Sequence, residues 1–244
     1  MRRILTFAQR TAKEVLRDPL TMFFGLGFPL VILLLLTLIQ SNIPIPMFEL
    51  DHLTPGITVF GLSFMTLFSA QLISHDRGSS FLTRLYTTPL KAYEFILGYL
   101  LPILPLCIAQ SAICYIAALI LGMPFSINIL WAILMNLVPS LFSIALGLLC
   151  GSVLNEKQVG GICGALLTNL SAWLSGVWFD ITMLGSAVGT FANMLPFIHE
   201  VELERAVLAG NMGAALPHLV WVACYALVFM VIAVFMFLRQ MKKQ

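Results

Sequence analysis

The sequence has few charged residues and lacks them altogether in five long runs. Asp, Glu, Lys and Arg make up 10% of its 244 residues, against about 25% in ordinary soluble domains. The chain is 60% hydrophobic with a mean hydropathy of +0.98, which is more apolar surface than one soluble core of this length can bury. These values exclude a soluble globular protein. The runs without charge are 19–48, 52–75, 95–155, 158–179 and 206–238.

The lengths of these runs predict membrane-spanning helices. A hydrocarbon core about 30 Å thick is crossed by about 20 mostly apolar helical residues. Four runs suit one crossing each, and the run 95–155 suits two crossings joined at Gly122-Met123-Pro124. We therefore expect an all-α polytopic membrane protein that forms a single domain over residues 1–244, with six transmembrane helices. Their expected positions are about 20–40, 55–75, 95–121, 129–153, 159–179 and 217–239.

Several motifs of catalysis and metal binding are also absent. The five cysteines are odd in number and show no C-x-x-C spacing, so we expect neither a disulfide framework nor a metal site. No lysine is followed by Ser or Thr, which excludes a phosphate-binding G-x-x-x-x-G-K-[ST] loop, and H-E-x-x-H and G-x-S-x-G are missing. We expect no catalytic, cofactor-binding or metal-binding residue. Apart from Arg239 at the end of the last one, the predicted spans contain no Asp, Glu, Lys or Arg. An ion-coupled relay is therefore disfavoured, and the energy source is expected outside the membrane.

The cations that are present define an orientation. If both termini are cytoplasmic, twelve of the thirteen Lys and Arg residues lie inside and Arg205 lies outside. The inner segments then carry a net charge of +7 and the outer segments −5. Because cytoplasmic loops are enriched in Lys and Arg, this distribution predicts a multi-pass protein of the cell (inner or plasma) membrane with cytoplasmic termini.

Three segments outside the spans have patterns of their own. Residues 1–18 predict an amphipathic helix along the inner membrane surface, or simply a charged anchor for the first span. The inner loop 76–94 predicts short helices that form a docking surface for another protein, or a loop that only sets topology. The outer segment 180–216 predicts a partly re-entrant helix, then an interfacial helix at about 198–208 that bears Glu200, Glu202 and Glu204. His199 appears alone in sequence and is interpreted as structural.

Four stretches together resemble the membrane subunits of ABC type-2 exporters, and the match extends over essentially the whole chain. They are KEVLRDPLTMFF, PGI at the start of the second span, DRGSSFLTRLYTTPL, and LPFIHEVELERAVL. The loop is the most specific part, although Ser79-Ser80 stands where that family more often has Gly followed by Thr.

The resemblance implies that the loop is a coupling helix on a separate ABC ATPase subunit, which would bind ATP and Mg. The implied ATPase-coupling residues are Asp76, Arg77, Gly78, Phe81, Arg84, Leu85, Thr88 and Pro89. The N-terminal helix, with Arg10, Lys13 and Arg17, would pack beside this loop. The resemblance also implies a homodimer, or a heterodimer with a second membrane subunit, in the lipid bilayer and without nucleic acid.

Small and polar residues form stripes on two predicted spans. On the fourth span, Ser140, Ser143, Gly147 and Gly151 are interpreted as a helix-packing surface. On the fifth, packing and a substrate path are equally plausible interpretations, since the resemblance places this span near the dimer interface. The path candidates are Thr168, Asn169, Ser171 and Ser175 on the fifth span, together with Phe64 and Phe68 on the second span.

The expected function is ATP-driven export of a hydrophobic or amphipathic substrate, such as a drug-like compound or a lipid, by a non-catalytic transport subunit. A passive channel or a membrane assembly factor is the alternative, and an intramembrane enzyme is less favoured.

Overall fold

The computed structural model describes four stretches of the chain, and every regular element in them is helical. They are residues 2–43, 48–79, 92–178 and 181–241. In chain order the helices are α1 (Arg2–Arg17), α2 (Pro19–Gln40), α3 (Leu50–Gly78), α4 (Ala92–Ile120), α5 (Asn128–Val153), α6 (residues 156–174), α7 (Ser186–Ala192), α8 (Pro196–Leu208) and α9 (Met212–Met241). The all-α polytopic class is thus confirmed.

The expected count of six spanning helices is not met. Five helices in the described stretches are long and apolar enough to cross a membrane, namely α2, α3, α4, α5 and α9. The predicted span 159–179 is the one that fails. Its helix α6 begins with the polar residues Glu156, Lys157 and Gln158 and ends at Leu174, so the apolar helical part is too short.

Helix α6 nevertheless runs antiparallel to α3 along most of its length. Glu156 contacts His75 near the end of α3, and Gly164 faces Leu67. Beyond the helix, Val177 packs on Gly56 near the start of α3. The nineteen helical steps from residue 56 to residue 75 cover about 28 Å, so the segment that contains α6 traverses a depth close to that of a hydrocarbon core.

Proline and its neighbours set the start and the irregularity of α2. Asp18 caps the helix by accepting hydrogen bonds from the Leu20 amide at 3.1 Å and the Thr21 hydroxyl at 2.6 Å, and Pro19 follows at the first helical position. A π-helical turn, Phe23–Gly27, ends two residues before Pro29.

The expected start of α3 at Pro55 is wrong. The helix begins at Leu50, and Pro55 lies inside it. Pro55 is the sixth helical residue and lies past the first turn, so it removes one intrahelical hydrogen bond without ending the helix, and Thr54-Pro55 does not mark the boundary.

Helix α3 is the centre of the bundle. Its spanning window is 89% buried, whereas those of α2 and α9 are 17% buried. Helix α5 packs closely against α3. A Cβ on Gly147 would lie 2.5 Å from the Thr66 carbonyl oxygen, and a Cβ on Gly151 would lie 2.6 Å from the Ala70 carbonyl oxygen. The packing interpretation of the stripe on α5 is therefore confirmed, since only glycine allows these backbones to approach so closely.

Helix α8 and the turn that precedes it lie against α9. The Tyr225 hydroxyl donates to the Met194 carbonyl oxygen at 2.6 Å, and Tyr225 lies about 20 Å along α9 from its start. From there α8 returns toward the beginning of α3, where Arg205 donates to the His52 carbonyl oxygen at 3.3 Å. The chain thus enters the bundle and leaves it again on the same side.

Candidate functional site

The end of α3 contacts three different parts of the bundle through three successive residues, His75, Asp76 and Arg77. The segment that follows them, residues 80–91, lies outside the described residues. We call this set of contacts the α1-end network. It comprises Arg10, Glu14, His75, Asp76, Arg77, Tyr99 and Glu156.

Asp76 is the centre of this network and is 1% exposed. Arg10 of α1 binds it through two parallel hydrogen bonds, Nη1 to Oδ2 at 2.7 Å and Nη2 to Oδ1 at 2.8 Å. The hydroxyl of Tyr99 on α4 donates to Oδ2 at 2.9 Å. A buried carboxylate is tolerated when it is paired and hydrogen-bonded, so Asp76 joins α1, α3 and α4.

Arg77 contacts the end of α5. Its guanidinium donates to the carbonyl oxygen of Ser152, and to that of Leu154 at 2.7 Å. The last carbonyl groups of a helix have no intrahelical partners and form the negative end of the helix dipole. The guanidinium of Arg77 donates hydrogen bonds to these carbonyl groups, and its positive charge balances the negative end of the helix dipole. Arg77 thereby links the end of α5 to α3.

His75 completes the set by facing the start of α6. Its Nδ1 lies 2.7 Å from Oε1 of Glu156, and both side chains are exposed. Asn155 and Gln158 form a capping box at the same turn, which fixes the first residues of α6. The end of α3 is therefore in contact with four other helices, α1, α4, α5 and α6.

An aromatic contact seats α1 on α4. The ring of Phe7 packs edge-to-face on Tyr99 with centroids 5.0 Å apart, and on Phe95 at 5.8 Å. Gly98 leaves space for that ring, because a Cβ there would lie 1.9 Å from Cδ1 of Phe7.

The charges of α1 divide between this network and the surface. Arg10 binds Asp76, whereas Lys13 and Arg17 are exposed. Glu14 lies one turn after Arg10, with Oε2 2.9 Å from Nη2 of that residue. Burial raises the pKa of the Glu14 carboxyl, and the positive charge of Arg10 opposes this effect.

A cavity of about 270 Å³ opens beside the network, between α1, the start of α2, α3 and the start of α6. Its walls combine apolar side chains with three carboxyl groups and one histidine. The lining residues are Glu14, Val15, Asp18, Thr21, Phe68, Gln71, Leu72, His75 and Glu156. Such a surface suits a ligand with an apolar body and a positive charge.

The predicted coupling residues are only partly described. Asp76, Arg77 and Gly78 form the last turn of α3, and a side chain on Gly78 would meet nothing within 4 Å. The other predicted coupling residues, Phe81, Arg84, Leu85, Thr88 and Pro89, lie outside the described residues.

The aromatic path candidates both lie against α2. Phe64 is in ring contact with Phe24 and Phe28 of that helix, at centroid distances of 6.0 and 5.4 Å. Phe68 packs over Gly25, and it also lines the 270 Å³ cavity. Of these two candidates, Phe68 is thus the one beside that cavity.

The candidates on and after α6 point in different directions. Thr168 is buried and donates to the Cys163 carbonyl oxygen at 2.9 Å, while Asn169 is exposed and donates to that of Ala165 at 2.7 Å. Ser171 lines a small cavity shared with α8. Ser175 is 1% exposed, and its hydroxyl has no partner among the described residues. The structure therefore does not bring the six candidates together on one surface.

Two buried glutamates on α8 were missed by the sequence reasoning. Glu200 and Glu204 were expected on an interfacial helix, but they are 2% and 0% exposed. Tyr115 donates to Oε2 of Glu204 at 2.8 Å, while Oε1 of Glu200 has no partner in the described stretches. Their i, i+4 spacing among apolar residues was the available signal, since residues so spaced share one helix face.

His199 also has a partner that the sequence did not suggest. Its Nδ1 lies 2.8 Å from Nδ1 of His218 on α9, and its Nε2 lies 3.0 Å from the Asn193 carbonyl oxygen. The residue is therefore not isolated, and it links α8 to α9.

Comparison with known proteins places these features in a family. No curated protein matches the chain. The family model described as ABC-2 type transporter matches residues 2–209, which include α1, the α1-end network and both buried glutamates. The chain belongs to the ABC-2 type transporters, as a membrane subunit of an ABC transporter.

Proposed function

We propose that this chain exports a hydrophobic or amphipathic molecule using ATP hydrolysed by a separate subunit that docks on the loop 76–94. The observation that carries the proposal is the α1-end network at the start of that loop. A push on the loop reaches Asp76 and Arg77 first, and through them α1, α4 and α5. Family membership supports a transport role without catalysis in this chain.

The working cycle is a two-state switch. ATP binding closes two partner ATPases, the loop moves, and the end of α3 moves with it. Because α3 is the most buried spanning helix, it cannot shift without rearranging its neighbours. We infer a dimer of membrane subunits, homomeric or heteromeric, in the cell membrane with cytoplasmic termini, and a central path that alternates between inward and outward access.

The 270 Å³ cavity supports a narrower class of cargo, namely amphipathic cations. Glu14, Asp18 and Glu156 contribute negative charge to its wall, and Phe68 and Leu72 contribute apolar surface. A drug-like cation or a cationic lipid fits this combination better than a neutral sterol or a polysaccharide does, because the charge and the apolar body would each meet a complementary wall.

Coupling is tested by the turnover of a co-purified ABC ATPase in lipid nanodiscs. We expect the wild-type chain to raise ATP hydrolysis. Arg84→Glu should weaken assembly of the complex, whereas Asp76→Asn should leave the complex assembled and remove the stimulation. Lys13→Gln is the matched control on α1, because Lys13 is exposed. A chain that assembles with no ATPase and conducts ions or solutes by itself would instead support the passive channel.

Cargo is tested with two ions of equal size and opposite charge, tetraphenylphosphonium and tetraphenylborate. We expect the cation to bind the purified chain and to stimulate the ATPase, and the anion to do neither. Glu14→Gln or Glu156→Gln should weaken cation binding about three- to tenfold, the effect of one nearby charge in a partly solvated site. Asp51→Asn, outside the cavity, should leave binding unchanged. Equal binding of both ions would contradict a cationic cargo.

A further inference from the structure

A second, smaller cavity lies between α3, α5, α6 and α8, and one charged side chain faces it. It has a volume of about 10 Å³, room for about one water molecule. Its oxygen-bearing lining residues are Ser63, Thr66, Ser143, Ser171 and Glu200, and apolar side chains form the rest of the wall.

The carboxyl group of Glu200 has no basic partner there. It takes part in none of the salt bridges between described residues, and its Oε1 accepts no hydrogen bond from them. The nearby cation Arg205 lies about 140° around α8 from Glu200. Arg205 binds Glu202 at 3.0 Å and the Gly176 carbonyl oxygen at 2.9 Å. A carboxylate buried without compensation is costly, so a positive species must accompany it when it is ionised.

Two of the four hydroxyl groups in the wall, those of Ser63 and Thr66, donate to backbone carbonyl oxygens. Ser63 donates its proton to the Phe60 carbonyl oxygen at 2.7 Å, and Thr66 donates to that of Ser143 at 3.0 Å. Their oxygen lone pairs are therefore left for the cavity. A neutral carboxylic acid needs one acceptor, whereas this wall offers several oxygens around a single small volume.

We propose that this cavity is a site for one monovalent metal cation, with Na⁺ as the occupant. One carboxylate balances one positive charge, and the neutral oxygens complete the coordination. Divalent ions take more oxygen ligands, often several carboxylates, or retain much of their hydration shell, for which a cavity of about one water has no space. The bound cation would fix α8 to α3 and α6.

The purified chain in lipid nanodiscs tests this site by thermal unfolding in about 150 mM NaCl, KCl or N-methylglucamine chloride at one pH. We expect a Tm about 3–6 °C higher in NaCl, the rise produced by a ten- to twentyfold excess of Na⁺ over its Kd. Glu200→Gln should remove the difference between the salts. Glu202→Gln, which removes the same charge two positions away on a more exposed side chain, should retain it.

Direct binding of ²²Na⁺ by equilibrium dialysis gives an independent readout, with Ser171→Ala as a milder variant expected to weaken Na⁺ binding while the fold is retained. Equal Tm values in the three salts would overturn the proposal, as would a Na⁺ effect that persists in Glu200→Gln. A pH-dependent Tm that disappears in Glu200→Gln, without any Na⁺ dependence, would show that a proton neutralises the carboxyl, and would also overturn the metal site.

Discussion

Asp76 and Glu200 are buried almost equally, at 1% and 2% exposure, but their carboxyl groups have opposite surroundings. Asp76 accepts three hydrogen bonds, two from Arg10 and one from Tyr99. Glu200 faces a small cavity, and one of its oxygens has no partner in the described part of the chain. The α1 end of the bundle thus has a compensated charge that joins helices, while the α8 side has a charge that needs a ligand.

This difference bears on how the two regions can move. Breaking a compensated buried pair leaves a stranded charge, so the α1-end network should move as one unit. A cavity that requires an occupant can change state when the occupant leaves. Force would therefore be transmitted through the α1-end network, whereas the packing of α8 would depend on whether its cavity is occupied.

The largest expected effect comes from removing the charge of Asp76. Asp76→Asn should destabilise the chain by about 2–4 kcal/mol, less than a fully buried pair because Arg10 remains one-third exposed. A double-mutant cycle with Arg10→Gln should give a coupling energy of about 1–3 kcal/mol from the unfolding free energies. Asp51→Asn, an exposed position on the same helix, is the control and should change stability by less than about 0.5 kcal/mol. Additive effects of Arg10 and Asp76 would show that the pair is not energetically linked.

A smaller effect is expected from filling the space under Phe7. Gly98→Ala places a Cβ where the ring of Phe7 lies, so α1 must shift, at a cost of about 1–3 kcal/mol. Trypsin cleavage within α1 should then be about tenfold faster, since about 1.4 kcal/mol of local opening is a factor of ten. Gly161→Ala is the matched control, because an added Cβ there meets nothing within 4 Å. If the two variants are cleaved at the same rate, Phe7 does not hold α1 in place.

The sequence was sufficient for the class of fold and for most of the helices, because charge-free runs are a direct consequence of the membrane as solvent. It was insufficient for the span 159–179. There the hydropathy of the run included residues after Leu174 that are not helical, and the helix itself begins with three polar residues.

The sequence likewise predicted only part of the candidate site. Asp76 and Arg77 were identified from the loop pattern, but their partners Arg10, Tyr99 and Ser152 are distant in sequence, and only the fold brings them together. The buried glutamates were misplaced because charge was taken as a sign of exposure. Glu204 counts as a charged residue in the sequence, but in the structure it is buried beside Tyr115.

The smallest of the three effects tests that buried pair. The Tyr115 hydroxyl donates to Glu204 at 2.8 Å, and the other carboxyl oxygen has no partner among the described residues. Tyr115→Phe removes this donor from a fully buried acid, so we expect a loss of about 1–2 kcal/mol in unfolding free energy. Tyr93→Phe, an exposed position on the same helix, should be neutral. If Tyr115→Phe is also neutral, Glu204 finds another donor when its neighbour is lost, and the α8 side is more adaptable than its contrast with the α1 end implies.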